Sequence, residues 1–341
     1  MSSGSICVVP QINALAGPAA FSARLKTGLL QAGYTVHHDP ARADTLAVLI
    51  IAGTRNIQPL WNARRRGARI VQRLNGINWI HRQRNTGLRH YLRAELGNLL
   101  LWYTRQWLAE HVVYQSHFVQ QWWQRTYGKP SASSEVIWNG VDLCVFTPQG
   151  KERPPDDRVR VQVVEGHFKG GFEIGMEIAA GFAAALQRAC RQPVELAVAG
   201  EANRLEQEAI SRKHGNITIE WSGVVPPERI PALNRQAHLF LSTDLHAACP
   251  NAVIEALACG VPVVAFDTGA LGELVSREAG RIAPYGSDAW KAELPHYDGL
   301  AQAALEILAN QAQFRAGARA HAECNFSQER MCAGYLKALT G

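Results

Sequence analysis

Asn251 and Glu255 stand four residues apart, directly after Pro250, in the stretch Asp244 to Val264, DLHAACPNAVIEALACGVPVV. Four residues is one turn, so a helix here puts both on one face. Pro250 and Asn251 suit the first positions of such a helix, Ala252 to Cys259 contains good helix formers, and Gly260 suits a left-handed cap. An exposed helix N-terminus offers N–H groups and partial positive charge to a phosphate or diphosphate. A carboxylate one turn behind it can accept from two vicinal hydroxyls, so the pair matches the diphosphate and ribose of a nucleotide. On spacing alone, an ordinary amphipathic helix with a solvated glutamate fits equally well.

The elements around this helix follow from hydrophobic runs. Leu239–Ser242 and Val261–Val264 read as buried strands on either side of it. Further strands are expected at Val159–Glu165, Val194–Ala199, Ile217–Trp221 and Arg281–Ala283 in the second half, and at Ser5–Pro10, Thr45–Ala52, Ala68–Leu74 and Val112–Gln115 in the first. Near-continuous apolar strands alternating with helical segments such as Ala19–Gln31 and Ile57–Arg66 describe an α/β protein with doubly wound parallel sheets. Ligands gather at the carboxyl ends of such strands, which places the loops Asn13 to Pro18 and Asn75 to His81 on a binding edge. The second loop, RLNGINWIHR, combines Arg73, Asn75, Asn78, His81 and Arg82. A histidine after a strand is more often a structural hydrogen-bonder than a catalyst.

The chain has 341 residues, long enough for two domains, with 47% hydrophobic and 19% charged residues. Its seven cysteines include no CxxC pair, which argues against a disulfide framework or a zinc site and for reduced, cytosolic thiols. Residues 1 to 23 carry no charged side chain, lack a basic segment and are interrupted by Pro10 and Pro18, which argues against a signal peptide. No apolar run reaches bilayer-spanning length.

Charge is uneven: residues 1 to 147 hold 16 Lys/Arg against 6 Asp/Glu, and residues 148 to 341 hold 19 against 23. A basic first half favours an anionic partner, such as a membrane surface, a phosphorylated acceptor or nucleic acid, beside the plainer reading of a solvated basic face. Leu88–Leu108 reads as a helix with Arg89, Arg93, Trp102 and Trp107, a composition shared by interfacial helices. The three consecutive leucines Leu99–Leu101 favour instead a helix buried in its domain.

CPNAVIEALACGVPVVAFDTGALGELV resembles the C-terminal signature of GT-B glycosyltransferases of the family called GT4, or group 1, and Glu255 matches the second glutamate of its E-x7-E motif. A second resemblance lies in Asn139-Gly-Val-Asp142 with Phe146 and Pro148, which is similar to the segment ending the N-terminal domain in that family. The resemblance implies a GT-B fold of two Rossmann-like domains facing a cleft, at 1–148 (acceptor side) and 149–325 (nucleotide-sugar side). A C-terminal helix, 326–341, is expected to cross back to the first domain, and the low-hydrophobicity stretch Gln149–Arg158 reads as the linker.

The resemblance also implies roles. Glu255 holds the donor ribose. The first glutamate of the motif, which touches the donor sugar, is replaced here by Ala247. His167-Phe-Lys169-Gly170-Gly171 supplies a Lys-Gly for the donor diphosphate, without the arginine expected just before it. Arg204 is a further cation, and Gly200, Gly223 and Val224 belong to loops beside the base. Pro250, Asn251, Ala252, Val253, Gly269 and Ala270 border the donor, as does Gly17 from the first domain. His81 is the acceptor-side catalytic candidate, joined by Asn13, Asn75, Asn78 and Arg82.

The function implied is transfer of a sugar from a UDP-, GDP- or ADP-sugar to a hydroxyl of a glycan, lipid-linked or phosphorylated acceptor. Retention of configuration and no metal or other cofactor are expected. The place expected is the cytoplasm, with peripheral membrane contact through the basic half. Ala247 and the missing arginine motivate an alternative, a binding or regulatory protein that has lost transfer activity. Nucleic-acid binding ranks last, because no recognisable module accompanies the basic charge.

Overall fold

A computed structural model describes residues 4–12, 17–84, 86–169 and 172–341. The chain forms two units, Met1–Gly140 with Ser327–Gly341, and Val141–Phe326. In the first, strands and helices alternate as β1 (Ser5–Val9), α1 (Gly17–Gln31), β2 (Thr35–His37), β3 (Thr45–Ile51), α2 (Ile57–Arg65), β4 (Arg69–Leu74), α3 (Leu88–Tyr103), β5 (His111–Tyr114), α4 (His117–Tyr127) and β6 (Ser133–Val136). All six strands are parallel, in the order β2-β1-β3-β4-β5-β6. Alternate residues serve opposite faces. Ile6, Val8, Leu49 and Ile51 pack with Phe21, Leu25 and Leu29 of α1, while Cys7, Val9, Val48 and Ile50 pack with Leu60 and Ala63 of α2.

The second unit repeats the pattern: β7 (Val159–His167), α5 (Ile174–Ala189), β8 (Val194–Glu201), α6 (Arg204–Lys213), β9 (Thr218–Gly223), α7 (Ile230–Arg235), β10 (Leu239–Ser242), α8 (Asn251–Ala258), β11 (Val263–Phe266), α9 (Leu271–Leu274), β12 (Gly280–Ala283), α10 (Asp298–Ala309) and α11 (Gln311–Asn325). Its six parallel strands run β12-β11-β10-β7-β8-β9. The doubly wound sheets expected from the apolar runs are both present. The order reverses between β10 and β7, and such a reversal opens a crevice at the carboxyl ends of the two strands.

Helix α12 (Gln328–Thr340) belongs to the first unit, where Tyr335 meets Phe21 edge-on with centroids 5.0 Å apart. The first unit ends at Gly140, earlier than the expected boundary at Pro148. The stretch read as a linker is anchored to the second unit, because Arg235 of α7 donates to Glu152 through Nε (2.9 Å) and Nη2 (2.7 Å).

Helix α3 corrects the expectation of a buried helix. Only Ala94, Asn98 and Leu101 of α3 are buried, and Leu88 (74% exposed), Leu92 (60%), Leu96 and Leu99 face outward. The helical period puts Leu101 inward and Leu99 outward, so consecutive leucines cannot all be covered from one side. Regular helix ends at Tyr103 and passes into a π-turn over Thr104–Leu108. Two strands, β2 and β6, have no counterpart among the expected strands.

Candidate functional site

The crevice of the second unit is built where β7 and β10 end side by side. Thr243, just past β10, donates from Oγ1 to Oε1 of Glu165 on β7 at 3.3 Å. Asp244 follows. Burial pushes Glu165 up to about 8 and Asp244 up to about 6, with the charge of Asp244 adding to the shift at Glu165 and the Thr243 bond opposing it. Both shifts favour a proton held within the pair, and a protonated carboxyl there is a hydrogen-bond donor as well as an acceptor. Neither acid was singled out by the sequence. Their signal was position alone, an acid near the carboxyl end of each of two buried strands.

The loop from Leu245 to Pro250 then turns back over the sheet. His246 adopts φ +56 and stacks on Trp290, with centroids 3.5 Å apart and planes 16° from parallel. Burial holds its imidazole down to about 4, so it is neutral near pH 7. Ala247 is buried, and its carbonyl accepts from Ala270 N–H at 2.8 Å. Gly269 makes that approach possible. It sits at φ +62, and a Cβ there would fall 2.4 Å from the Ala247 nitrogen. The loops after β10 and β11 are thus interlocked through backbone.

Helix α8 leaves this loop with Asn251 as its first residue and Pro250 in the cap position, where the proline ring makes no cap hydrogen bond. Ala252 is partly exposed, Val253 is buried, and Glu255, one turn in, is buried as well. The far end of α8 is held by Arg319 of α11, whose Nη1 donates to Ala258 O (2.7 Å) and Phe146 O (2.8 Å) and whose Nη2 donates to Leu143 O (3.2 Å). Sequence reasoning did not identify Arg319, since nothing local links it to α8.

Past β7, Lys169 forms an ion pair with Glu201 at the end of the neighbouring β8, and each side chain is 52% exposed. Lys169 and the charge of His167 hold the Glu201 carboxyl below its usual range. Gly200 lies against β7, where a Cβ would meet the Glu165 carbonyl at 2.6 Å. Gly223 (φ +63) ends β9, and exposed Val224 after it lines a cavity of about 370 Å³ with Glu220, Ser222, Pro226 and Arg229. Arg204 opens α6, highly exposed, and pairs with Glu208 at 3.0 Å. Gly170 lies outside the described residues.

The other candidates fall in the first unit. Gly17 opens α1, and Asn13 lies outside the described residues. His81 is almost wholly enclosed, and its Nε2 lies 2.8 Å from Oε1 of Glu95 on α3. Arg82 grips the same carboxylate at 2.6 and 2.8 Å. Together they fasten the 3-10 turn Ile80–Arg82 to α3 and hold Glu95 down to about 2. Asn75 and Asn78, with Thr54, Arg55, Arg93 and Leu100, line a cavity of about 290 Å³ at the carboxyl ends of β3 and β4. Asn98 fixes its rim by accepting from Asn78 N–H and donating to Asn78 O, both at 3.0 Å. Arg55 and Arg93 have no ion-pair partner among the described residues.

Residues 174–310 match the family model described as glycosyl transferases group 1. A curated relative from Arabidopsis thaliana, a phosphatidylinositol N-acetylglucosaminyltransferase subunit, is 26% identical over 153 residues, 43% of this chain and 32% of that protein. The match therefore spans about a third of the relative's length. Among solved structures, sucrose-phosphate synthase from Thermosynechococcus elongatus superposes with TM-score 0.74 at 16% identity, covering 98% of each chain. HepE of Anabaena, in complex with UDP-glucose, superposes with TM-score 0.69 at 16% identity, covering 99% of each chain. The fold of this chain is the two-domain α/β fold of GT-B glycosyltransferases.

Proposed function

We propose that the chain is a glycosyltransferase that moves a sugar from a UDP-sugar to a hydroxyl of an anionic acceptor. One observation carries this reading: α8 starts from the loop after β10 at the β7–β10 crevice with no cap bond from Pro250 and with Glu255 buried one turn in, and Lys169 follows the neighbouring β7. The α8 amides, Lys169 and His167 meet the diphosphate, Glu255 takes the ribose, and the turn at Gly223 and Val224 borders the base. These groups are electrostatic, so the leaving diphosphate is stabilised without a metal. The bond from the anomeric carbon to the diphosphate breaks, the acceptor oxygen bonds to the same face, and the acceptor proton passes to the leaving phosphate. Uridine as the base is supported by the UDP-glucose bound to HepE.

An anionic acceptor is supported by Arg55 and Arg93 in the cavity with Asn75 and Asn78, and by the name of the plant relative, which specifies phosphatidylinositol. Seven free cysteines support a reducing, cytoplasmic setting. Calorimetric titration with UDP, GDP, ADP and their sugar conjugates tests the reading. Selective UDP binding, weakened in Glu255→Ala and Lys169→Ala, supports it, and binding of no nucleotide overturns it.

A second reading, a protein that binds but does not transfer, is favoured by two observations. Ala247 is enclosed where the resemblance places a sugar-binding glutamate, and Lys169 is already neutralised by Glu201. Nucleotide binding without transfer or slow hydrolysis of any donor supports this reading, and robust turnover removes it.

A further inference from the structure

We infer that the stretch 284–297 is a strap forming the far wall of the donor site, with Trp290 at its tip packing against the donor sugar. The inference rests on the UDP-sugar reading and adds to it a residue that meets the transferred group. The strap joins edge strand β12, which ends at Ala283, to α10, which starts at Asp298. Its tip reaches the loop after β10, where the indole of Trp290 lies on the imidazole of His246 with centroids 3.5 Å apart. Strand β11 stands between β12 and β10, so the strap spans about 10 Å across the carboxyl ends of the sheet. Its own bonds brace it. Tyr285 Oη donates to Glu293 O at 2.6 Å, Ser287 Oγ to Leu294 O at 2.7 Å, and His296 N–H to Tyr285 O at 2.9 Å. At the tip, Asp288 accepts from the N–H groups of Trp290 (3.0 Å) and Lys291 (3.2 Å). Buried Tyr285 fixes the root of the strap edge-on against Phe266 of β11, with centroids 5.4 Å apart.

Topology decides what faces the tip. The strands run β12-β11-β10-β7-β8-β9. With the base beside Gly223 and Val224 after β9, and the diphosphate where β7 and β10 end, the sugar at the other end of the diphosphate extends toward β11 and β12. A single exposed apolar residue is ordinary on a protein surface. Trp290 differs in that one face of its ring is already stacked on His246, while 41% of the residue stays open at this end of the site. Next to His246, Ala247 is buried and brings no polar side chain, so contact at this point falls to the indole. A pyranose carries C–H groups on its ring faces, and an indole offers them a large, rigid apolar surface. Asp267, exposed directly past β11, adds a carboxylate that accepts from sugar hydroxyls. An aromatic face beside a hydroxyl acceptor suits a hexosyl group better than a phosphate.

The test is calorimetric titration of the full chain, and of its Trp290→Leu and Trp290→Phe variants, with UDP, UDP-glucose and UDP-N-acetylglucosamine. Trp290→Leu should weaken binding of the UDP-sugars by roughly three- to tenfold, the worth of an aromatic stacking contact, and Trp290→Phe by less. UDP has no sugar and should bind all three forms alike. Equal weakening of UDP and the UDP-sugars would mean that Trp290 only props the loop after β10, and it overturns the inference. UDP-sugar binding that ignores Trp290→Leu also overturns it. Both of these outcomes leave the nucleotide reading standing, whereas UDP that binds no form of the chain removes that reading and this inference together.

Discussion

The ammonium of Lys169 rests on the carboxylate of Glu201, pairing the ends of two neighbouring strands at the mouth of the second unit's crevice. Both side chains are half-exposed, so the pair adds little to stability. Its consequence is for binding, because a diphosphate must compete with Glu201 for Lys169. Glu201→Gln should tighten UDP binding several-fold, and Lys169→Ala should weaken it by roughly tenfold, as charge-assisted contacts of about 1–2 kcal/mol imply. Titration calorimetry at two salt concentrations checks both. Weaker binding in Glu201→Gln would mean that the carboxylate positions Lys169 rather than occupying it.

Glu165 and Asp244 set a pH dependence of stability. The folded-state pKa of Glu165 is raised to about 8 by burial and by Asp244, above an unfolded value near 4.5. The folded chain therefore binds more protons than the unfolded chain between those values, so this pair lowers stability as pH rises from about 4.5 to 8. Glu165→Gln removes the penalty and should raise stability at pH 8 while changing little at pH 4.5. Denaturant unfolding at the two pH values measures the difference.

Gly269 holds the two site loops together at a contact that no side chain can share. Gly269→Ala places a methyl 2.4 Å from the Ala247 nitrogen at φ +62. About 1–2 kcal/mol of left-handed strain plus the clash should cost at least 2–4 kcal/mol. A fall of several degrees in thermal midpoint, accompanied by weaker nucleotide binding, is the expected result. An unchanged midpoint would show that the loops separate freely.

Arg319 acts on the site from behind. Its guanidinium satisfies carbonyls of Ala258, Phe146 and Leu143, and Arg319→Met leaves all three without that donor. The loss should be about 2–4 kcal/mol in stability. If Arg319 only supports α8, UDP affinity measured well below the midpoint should fall by less than that in Lys169→Ala.

The sequence by itself determined the strands and the helix that carry the site. Val194–Ala199 and Val261–Val264 are legible because parallel strands covered on both faces must be apolar throughout, and α8 is legible because Pro250 and Gly260 bracket it. Asn251 and Glu255 could be placed on one face because their relation is local. The three-residue edge strand β2 is too short and too exposed to leave such a pattern. What needed tertiary structure was every relation that crosses elements. Glu165 meets Thr243, and Lys169 meets Glu201, only because the crossovers set β7 between β10 and β8. Helix α3 shows the same limit, since periodicity reveals an apolar stripe but only the packing of neighbouring elements decides whether it is covered.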